Sequence, residues 1–196
     1  MKEIVFATHN MNKLKEVQQM MPTHIKIKSL TDIGCNEEII ENAPSIEGNA
    51  KIKADYVFNT YGLACFADDT GLEVEALNGE PGVRTARYAG EAKSASANMN
   101  KLLKELSNKT SRKAHFKTVI HFKNSTVSKS FIGICKGEIL EEKRGGKGFG
   151  YDPIFQPENY STSFAEMNAS VKNTISHRAL AFKEFLQFIS VIKTIE

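Results

Sequence analysis

The chain has 196 residues, of which 41% are hydrophobic and 25% are charged, and its formal net charge is +3 at pH 7. This length and composition predict one globular domain over 1–196 with enough apolar residues to bury a core. The small net charge argues against a nucleic-acid partner but is compatible with a local basic site for a small polyanion.

Neither a leader nor a membrane segment is expected. Residues 1–7 become polar too early for a signal peptide, and no apolar run reaches the roughly 18 residues that a spanning helix needs. Cys35, Cys65 and Cys135 lack metal-ligand spacing, and the last two lie in apolar strand-like runs. Buried thiols of this kind are typical of a reducing compartment, so we predict a cytoplasmic protein without a membrane partner.

Helix and strand patterns alternate along the first part of the chain. The predicted elements are a strand over 2–8, a helix from Lys13 that stops at Pro22, a strand over 25–30, an acidic loop over 31–44, a helix with Ser45 as N-cap and Gly62 as end signal, and a strand over 63–70 closed by Gly71.

The alternation continues in the second part. The predicted elements are a long loop over 78–90, a helix over 95–106, a hairpin of strands over 116–122 and 127–135, a short strand over 138–141, a glycine-rich loop over 145–150, and a last helix with Phe182, Phe185, Leu186, Ile189 and Ile192 on its core face. Interleaved helices and strands predict an α/β fold with a mixed, twisted sheet and flanking helices.

Asp68 and Asp69 stand side by side at the exit of a buried strand. Carboxylates there are costly unless a cation, hydrogen bonds or water compensate them. Because successive strand side chains point to opposite faces, we expect the two residues to do different jobs. One would face a site and hold a metal, and the other would tie down local backbone. The alternative is an acidic turn that caps the next element.

The segment from Thr8 to Lys13 joins the first strand to the first helix. Such a junction presents backbone N–H groups and the positive end of a helix dipole, which suits phosphate. Lys13 adds a cation, and Thr8 and Asn10 add neutral donors. The GxxxxGK[ST] pattern of a Walker A loop is absent. A plain asparagine N-cap beside a solvated lysine is the alternative.

The glycine-rich loop lacks the GxGxxG spacing of a dinucleotide fingerprint. It would instead let backbone approach a flat ligand, with Phe149 and Tyr151 offering ring faces. Asp152 would accept hydrogen bonds from a nucleobase edge. A tight hairpin loop is the alternative.

His177 and Arg178 open the last helix after Ser176, a suitable N-cap, with Lys172 just before. Two cations in a first turn oppose the helix dipole, at about 0.3–1 kcal/mol each. Their placement favours an electron-rich ligand at that end. A solvated basic turn is the alternative.

Four glutamates, Glu37, Glu38, Glu41 and Glu47, crowd one acidic segment. Mg²⁺ takes one or two protein carboxylates together with substrate phosphate oxygens and water. One of these glutamates could therefore join Asp69 on a metal.

Taken together, the chain resembles the inosine triphosphate pyrophosphatase family over essentially its whole length. Six motifs occur in family order: Thr8-x-Asn10-x-x-Lys13, Glu47-Gly48-Asn49-Ala50, Ala67-Asp68-Asp69-Thr70-Gly71-Leu72, Pro81-Gly82-x-x-Thr85-Ala86-Arg87-Tyr88, Gly148 to Phe155, and Ser176-His177-Arg178. Each motif by itself is modest evidence for the family, whereas six motifs in the same order are specific evidence.

The resemblance implies an elongated single domain with two lobes around a central cleft, in a homodimer. It also implies Mg²⁺-dependent hydrolysis of non-standard purine nucleoside triphosphates, ITP, dITP and XTP, to the monophosphate and pyrophosphate. Such an activity keeps deaminated purines out of DNA and RNA.

The resemblance also implies roles for individual residues. Asp69 would be the general base and a metal ligand, and Glu41 the second metal ligand, with Glu38 as the alternative. The residues implied to bind the substrate are Thr8, His9, Asn10, Met11, Asn12 and Lys13 at the phosphates, Thr70 beside the metal, and Phe149, Gly150, Tyr151, Asp152, Lys172, His177 and Arg178 around the nucleotide.

Base selectivity would follow from complementary hydrogen bonds. Phe149 would stack on the purine, Arg178 would donate to a 6-keto oxygen, and Asp152 would accept from a ring N–H. Adenine reverses the donor pattern at position 6, a mismatch that can discriminate by roughly 10⁴. The competing hypotheses are a nucleotide-binding protein without turnover and a pyrophosphatase for modified pyrimidine triphosphates.

Overall fold

The computed structural model describes residues 2–192, which form seven strands and five α-helices joined by loops and short 3₁₀ turns. In chain order they are β1 (Lys2–Phe6), α1 (Met11–Met20), β2 (Ile25–Lys28), α2 (Ile46–Tyr61), β3 (Cys65–Val74), β4 (Pro81–Gly82), α3 (Ala95–Glu105), β5 (Lys113–Lys123), β6 (Ser128–Ile139), β7 (Phe155–Pro157), α4 (Ala169–Ile175) and α5 (His177–Val191).

Strand pairing confirms the predicted α/β class with a mixed sheet. The hydrogen-bonded order is β2-β1-β3-β5-β6-β7, and β4 pairs with β3. β1 runs parallel to both β2 and β3, whereas β4 is antiparallel to β3 and β7 is antiparallel to β6. Among residues 2–192, none of the helices combines the length and the hydropathy that crossing a bilayer requires.

The chain divides into two compact units. Unit 1 consists of the described residues within Met1–Asp69, Thr118–Gly133 and Arg178–Glu196, and unit 2 consists of Thr70–Lys117 and Ile134–His177. The single domain over 1–196, its elongated shape with a central cleft, and the homodimer stay predictions.

Unit 1 packs apolar side chains on both faces of its strands. Phe6 and Phe66 stack with ring centroids 4.6 Å apart, and Phe185 of α5 lies 4.9 Å from Phe66. Cys65 and Ala67, which alternate with Phe66 along β3, pack in a second cluster with side chains of α2. The predicted core stripe of the last helix packs in the same cluster as Phe6 and Phe66, so that prediction is confirmed. The packing on both faces fixes the part of β3 that carries Asp68 and Asp69.

Helix α2 begins and ends where the sequence predicts. The Ser45 hydroxyl accepts a hydrogen bond from the Gly48 amide at 3.1 Å, and Gly62 closes the helix at φ 66°. Side-chain caps and a left-handed glycine satisfy the backbone groups that helix ends leave unpaired. This rigid helix carries Lys53 of the candidate site.

Unit 2 has its own aromatic core. Phe116 meets Phe155 edge-on at 4.7 Å, and Phe155 lies 5.1 Å from Phe164. Leu102 of α3 and Tyr151, the residue that follows the glycine-rich loop, belong to the same buried cluster. This core therefore anchors the end of the glycine-rich loop through Tyr151.

Several predicted boundaries are wrong. β3 continues through Gly71 to Val74, because Leu72 pairs with Gly82 of β4 and its amide donates to the Thr85 hydroxyl at 2.8 Å. Gly71 is thus a strand residue and not a turn. β6 likewise extends to Ile139, so no separate strand covers 138–141, and α1 begins at Met11 ahead of Lys13.

The three cysteines are buried free thiols. Burial raises the pKa of both Cys65 and Cys135 to about 12. We expect Ellman's reagent at about pH 8 to leave the native protein unmodified, because all three thiols are buried away from the reagent, and to label all three in urea. Rapid labelling of a native thiol would contradict this expectation.

Candidate active site

The loop between β1 and α1 is an N-cap structure. The Asn10 side chain accepts hydrogen bonds from the amides of Asn12 at 3.0 Å and Lys13 at 3.2 Å, and the Thr8 hydroxyl accepts from the Asn10 amide. The alternative of an asparagine N-cap is therefore confirmed for the backbone. The solvated lysine that belonged to the same alternative is wrong, because the Lys13 ammonium donates to Asp68 at 2.9 Å.

The other predicted phosphate-binding residues of this loop face outwards. His9, Met11 and Asn12 are exposed. His9 Nε2 lies 3.1 Å from the main-chain oxygen of Glu37, which connects the loop to the acidic segment. Their contacts with a substrate stay predictions.

Asp68 and Asp69 have different surroundings, as the strand alternation predicts. Asp68 is 2% exposed, and its two oxygens face Lys13 Nζ and Arg178 Nε at 2.9 and 3.1 Å. It therefore binds side chains from α1 and α5, so the prediction that one of the two aspartates ties down local backbone is wrong for Asp68. The alternative of an acidic turn is wrong as well, because both aspartates lie within β3. Burial disfavours the charge of Asp68, but Lys13 and Arg178 outweigh burial and hold the pKa of Asp68 well below its usual range.

Arg178 is also bound by a second carboxylate. Its Nη1 lies 2.5 Å from Glu16 Oε2, and its side chain is only 3% exposed. Burial opposes its charge, whereas Asp68 and Glu16 stabilise it and raise the pKa of Arg178. The two carboxylates offset the conflict with the α5 dipole, and the solvated-turn alternative is wrong for this residue.

Asp69 lies beside a buried lysine that sequence analysis missed. Lys53 Nζ is 2.9 Å from Glu41 Oε2 and 3.8 Å from Asp69 Oδ1, so the two predicted metal ligands share one ammonium. Burial raises the pKa of Asp69, although Lys53 and Lys13 act against it. A carboxylate with a raised pKa beside a cation suits a general base.

The donor set at this place fits Mg²⁺ only in company with a substrate. Glu41 and Asp69 supply hard carboxylate oxygens, and Mg²⁺ uses one or two of these with substrate phosphates and water. Across residues 2–192, no three His, Cys, Asp or Glu side chains form a ready metal cluster. Substrate oxygens and water would complete the coordination.

In unit 2, the glycine-rich loop wraps around Asp152. The Phe149 amide donates to Asp152 Oδ2 at 2.7 Å, and Lys172 Nζ donates to the same oxygen at 2.8 Å. A Cβ on Gly148, whose φ is +74°, would lie 2.1 Å from that oxygen, so only glycine fits there. Both partners of the Lys172–Asp152 ion pair are buried.

Phe149 presents its ring beside this ion pair. Lys172 Nζ lies 5.2 Å from the centroid of the Phe149 ring and 5.5 Å from that of Phe164. An ammonium within about 6 Å of a ring centre is attracted to the ring. Lys172 therefore holds both Asp152 and the half-buried Phe149, while Gly150 adopts φ 64° at the next position.

Tyr151 is a core residue. It is 3% exposed, and its hydroxyl donates to the main-chain oxygen of Thr85 at 3.0 Å. We expect Tyr151→Phe to lower the free energy of unfolding by about 1 kcal/mol, because the carbonyl loses a donor. Urea unfolding measures this, with the exposed Tyr160→Phe as the control. An unchanged stability in Tyr151→Phe would show that this bond contributes nothing.

His177 and Thr70 complete the predicted set. His177 is buried, and its ring stacks on Phe116 with centroids 4.5 Å apart and an interplanar angle of 17°. The alternative of a solvated basic turn is therefore wrong for His177 as well. Thr70 follows Asp69 on β3 and is half-buried. The substrate contacts of both stay predictions.

Comparisons with known proteins identify the family of this chain. A model of the Ham1 family matches residues 4–188. The chain belongs to the Ham1 family. It is 55% identical to the dITP/XTP pyrophosphatase of Christiangramia forsetii over 96% of this chain and 99% of that protein. It is 56% identical to the dITP/XTP pyrophosphatase of Flavobacterium johnsoniae over 97% of this chain and 100% of that protein.

Solved structures of Ham1 proteins have the same fold. The Staphylococcus aureus protein superposes with a TM-score of 0.89 and 38% identity, over 96% of this chain and 98% of its own. The Coxiella burnetii protein superposes with a TM-score of 0.90 and 35% identity, over 98% of this chain and 100% of its own. The family resemblance inferred from six motifs is confirmed.

The sequence analysis missed two residues of the candidate site. Lys53 lies on α2 among the buried positions Ala50, Ala54 and Val57, and Glu16 lies one turn after Lys13 on α1. A lysine on an otherwise buried helix face is costly unless it is paired, and that signal could have identified Lys53. Glu16 carried no comparable signal.

Proposed function

We propose that the chain hydrolyses the non-standard purine nucleoside triphosphates ITP, dITP and XTP to the monophosphate and pyrophosphate. The observation that carries the proposal is the Asp69 carboxylate, whose pKa burial raises, beside the buried ammonium of Lys53. Relatives named dITP/XTP pyrophosphatase, more than half identical over nearly the whole chain, support the choice of substrate.

The proposal assigns the triphosphate to side chains of unit 1. Lys13 and Lys53 would neutralise phosphate charge, which otherwise repels a nucleophile. Asp69 would accept a proton from the water that cleaves the anhydride between the α- and β-phosphates, with pyrophosphate as the leaving group. General-base catalysis of this kind contributes about 10²–10⁴-fold.

We propose Mg²⁺ as the cofactor, held by Asp69 and Glu41 together with substrate oxygens. The ion would supply charge neutralisation and orientation of the phosphates. The support is the pair of carboxylates around Lys53.

The proposal assigns the base to Phe149, Asp152 and Arg178, the residues that the resemblance implies. Phe149 would stack on the purine, and the Asp152 carboxylate, fixed by Lys172 and by the loop, would accept a ring N–H. Arg178 would donate to the 6-keto oxygen, as the resemblance implies. A fixed acceptor discriminates well because the wrong base leaves it unpaired.

The test is pyrophosphate release from ITP, dITP, XTP, GTP, ATP and dUTP, with and without Mg²⁺. We expect Mg²⁺-dependent release from the inosine and xanthosine nucleotides in strong excess over ATP. Faster release from dUTP would favour the pyrimidine hypothesis. Binding of ITP without release would favour the hypothesis of a nucleotide-binding protein.

A cytoplasmic homodimer is the remaining part of the proposal. Three free, buried cysteines support a reducing compartment. Light scattering coupled to size exclusion measures the mass in solution, and a monomer over the whole concentration range would contradict the homodimer.

A further inference from the structure

Four charged side chains of unit 1 form a continuous series of three ion pairs. Lys13 and Arg178 each bind Asp68, and Arg178 also binds Glu16. Lys13 and Glu16 are three positions apart on α1, so they project from the same face of that helix. The three ion pairs thereby connect α1, β3 and the beginning of α5.

We infer that Asp68 and Glu16 are positioning residues, which fix Lys13 and Arg178 in place for the triphosphate substrate. The inference rests on the proposed function for its substrate. Neither carboxylate is required to touch the nucleotide. Each acts through the cation that it holds.

The two carboxylate oxygens of Asp68 bind different cations, which supports the inference. One oxygen takes the Lys13 ammonium and the other takes Nε of Arg178, so the carboxylate separates two cations that would repel each other. A carboxamide has one acceptor oxygen and one donor NH₂ group. Asp68→Asn would therefore oppose a donor to one of the two cations while keeping the size of the side chain.

Glu16 supplies a second restraint on Arg178. Nε of the guanidinium binds Asp68 and Nη1 binds Glu16, and two anchors on different nitrogens of a planar group fix its orientation. Glu16 is 18% exposed in its side chain, compared with 2% for Asp68. Glu16→Gln is therefore the variant that folds even if Asp68→Asn does not.

Steady-state kinetics with ITP and ATP form the first test. Asp68→Asn is expected to lower kcat/KM for ITP about 10- to 100-fold, mainly through KM, because Lys13 is released from its place. Glu16→Gln is expected to leave KM for ITP within about twofold and to lower the ITP-to-ATP ratio about threefold to tenfold, because Arg178, which would donate to the 6-keto oxygen, loses its second carboxylate.

Matched controls exist within the same unit. Asp55 also divides two cations, with Lys123 3.3 Å from Oδ1 and Lys51 on Oδ2. Glu3 is likewise shared by Lys26 and Lys28. Asp55→Asn and Glu3→Gln are expected to keep wild-type kinetics, so a general loss of ion pairing cannot imitate the result.

A second readout is independent of turnover. Brief acetylation with sulfo-NHS-acetate, followed by peptide mass spectrometry, reports how freely the Lys13 amine reacts. A lysine bonded to a carboxylate reacts slowly, so Lys13 is expected to react about tenfold faster in Asp68→Asn and unchanged in Glu16→Gln and Asp55→Asn.

The outcomes separate the inference from the proposed function. A wild-type protein that releases no pyrophosphate would overturn the function, while Lys13 acetylation would still decide whether Asp68 positions that lysine. If the wild type is active, an unchanged KM for ITP in folded Asp68→Asn together with an unchanged ITP-to-ATP ratio in Glu16→Gln would overturn the inference and leave the function standing.

Discussion

Asp69→Asn is expected to reduce ITP hydrolysis about 10²–10⁴-fold while the protein stays folded. The carboxamide has nearly the same volume as the carboxylate but cannot accept a proton from water. Lys53, the cation beside Asp69, keeps its shorter contact with Glu41 at 2.9 Å, so the local structure retains its main ion pair. Single-turnover pyrophosphate release measures the effect on the chemical step.

Two comparisons make this result specific. Asp55→Asn removes another ion-paired carboxylate of unit 1 and is expected to leave turnover unchanged. Calorimetric titration of Asp69→Asn with ITP is expected to show binding within about tenfold of the wild type, because the phosphate-binding lysines remain. Near-normal turnover in Asp69→Asn would assign the base to another residue.

The sequence predicted best those features that depend on near neighbours. The limits of α2 follow from Ser45 and Gly62, which act on backbone groups within one helical turn. The end of β3 depended on remote residues, since pairing with β4 and the Thr85 hydroxyl carry the strand past Gly71. Local turn propensity gave the wrong end because tertiary pairing overrides it.

In the candidate site, too, features set by near neighbours could be predicted and features set by remote residues could not. The two aspartates could be given different jobs from strand alternation alone. The partners of Asp68 could not be named, because Lys13 and Arg178 lie 55 and 110 positions away. Glu16 was missed for the same reason, since its partner Arg178 is 162 positions away. Ion pairs between distant segments leave no periodic signal in a sequence.

Burial also changed how several motif residues are understood. Tyr151 was predicted to offer a ring face, yet it lies in the core of unit 2 and donates to Thr85. Phe149 keeps a half-buried ring beside Lys172. Aromatic residues two positions apart in one loop thus differ in surroundings, which the sequence pattern alone does not distinguish.

Asp152→Ala is expected to lower the free energy of unfolding by about 3–5 kcal/mol and to remove most of the preference for ITP over ATP. The loss of stability follows because Lys172 would stay buried without the carboxylate at 2.8 Å. The loss of preference follows because the purine would lose its acceptor, a contact that can discriminate by roughly 10⁴. Urea unfolding and the ITP-to-ATP ratio of kcat/KM measure the two effects.

A double-mutant cycle with Lys172→Met separates stability from recognition. Removing both partners leaves no unpaired charge, so the double variant is expected to be more stable than Asp152→Ala alone, with a coupling energy of about 0.5–3 kcal/mol. The ITP-to-ATP ratio of the double variant should nevertheless stay low, because the acceptor is still missing. Recovery of that ratio together with stability would show that Asp152 supports the loop and does not recognise the base.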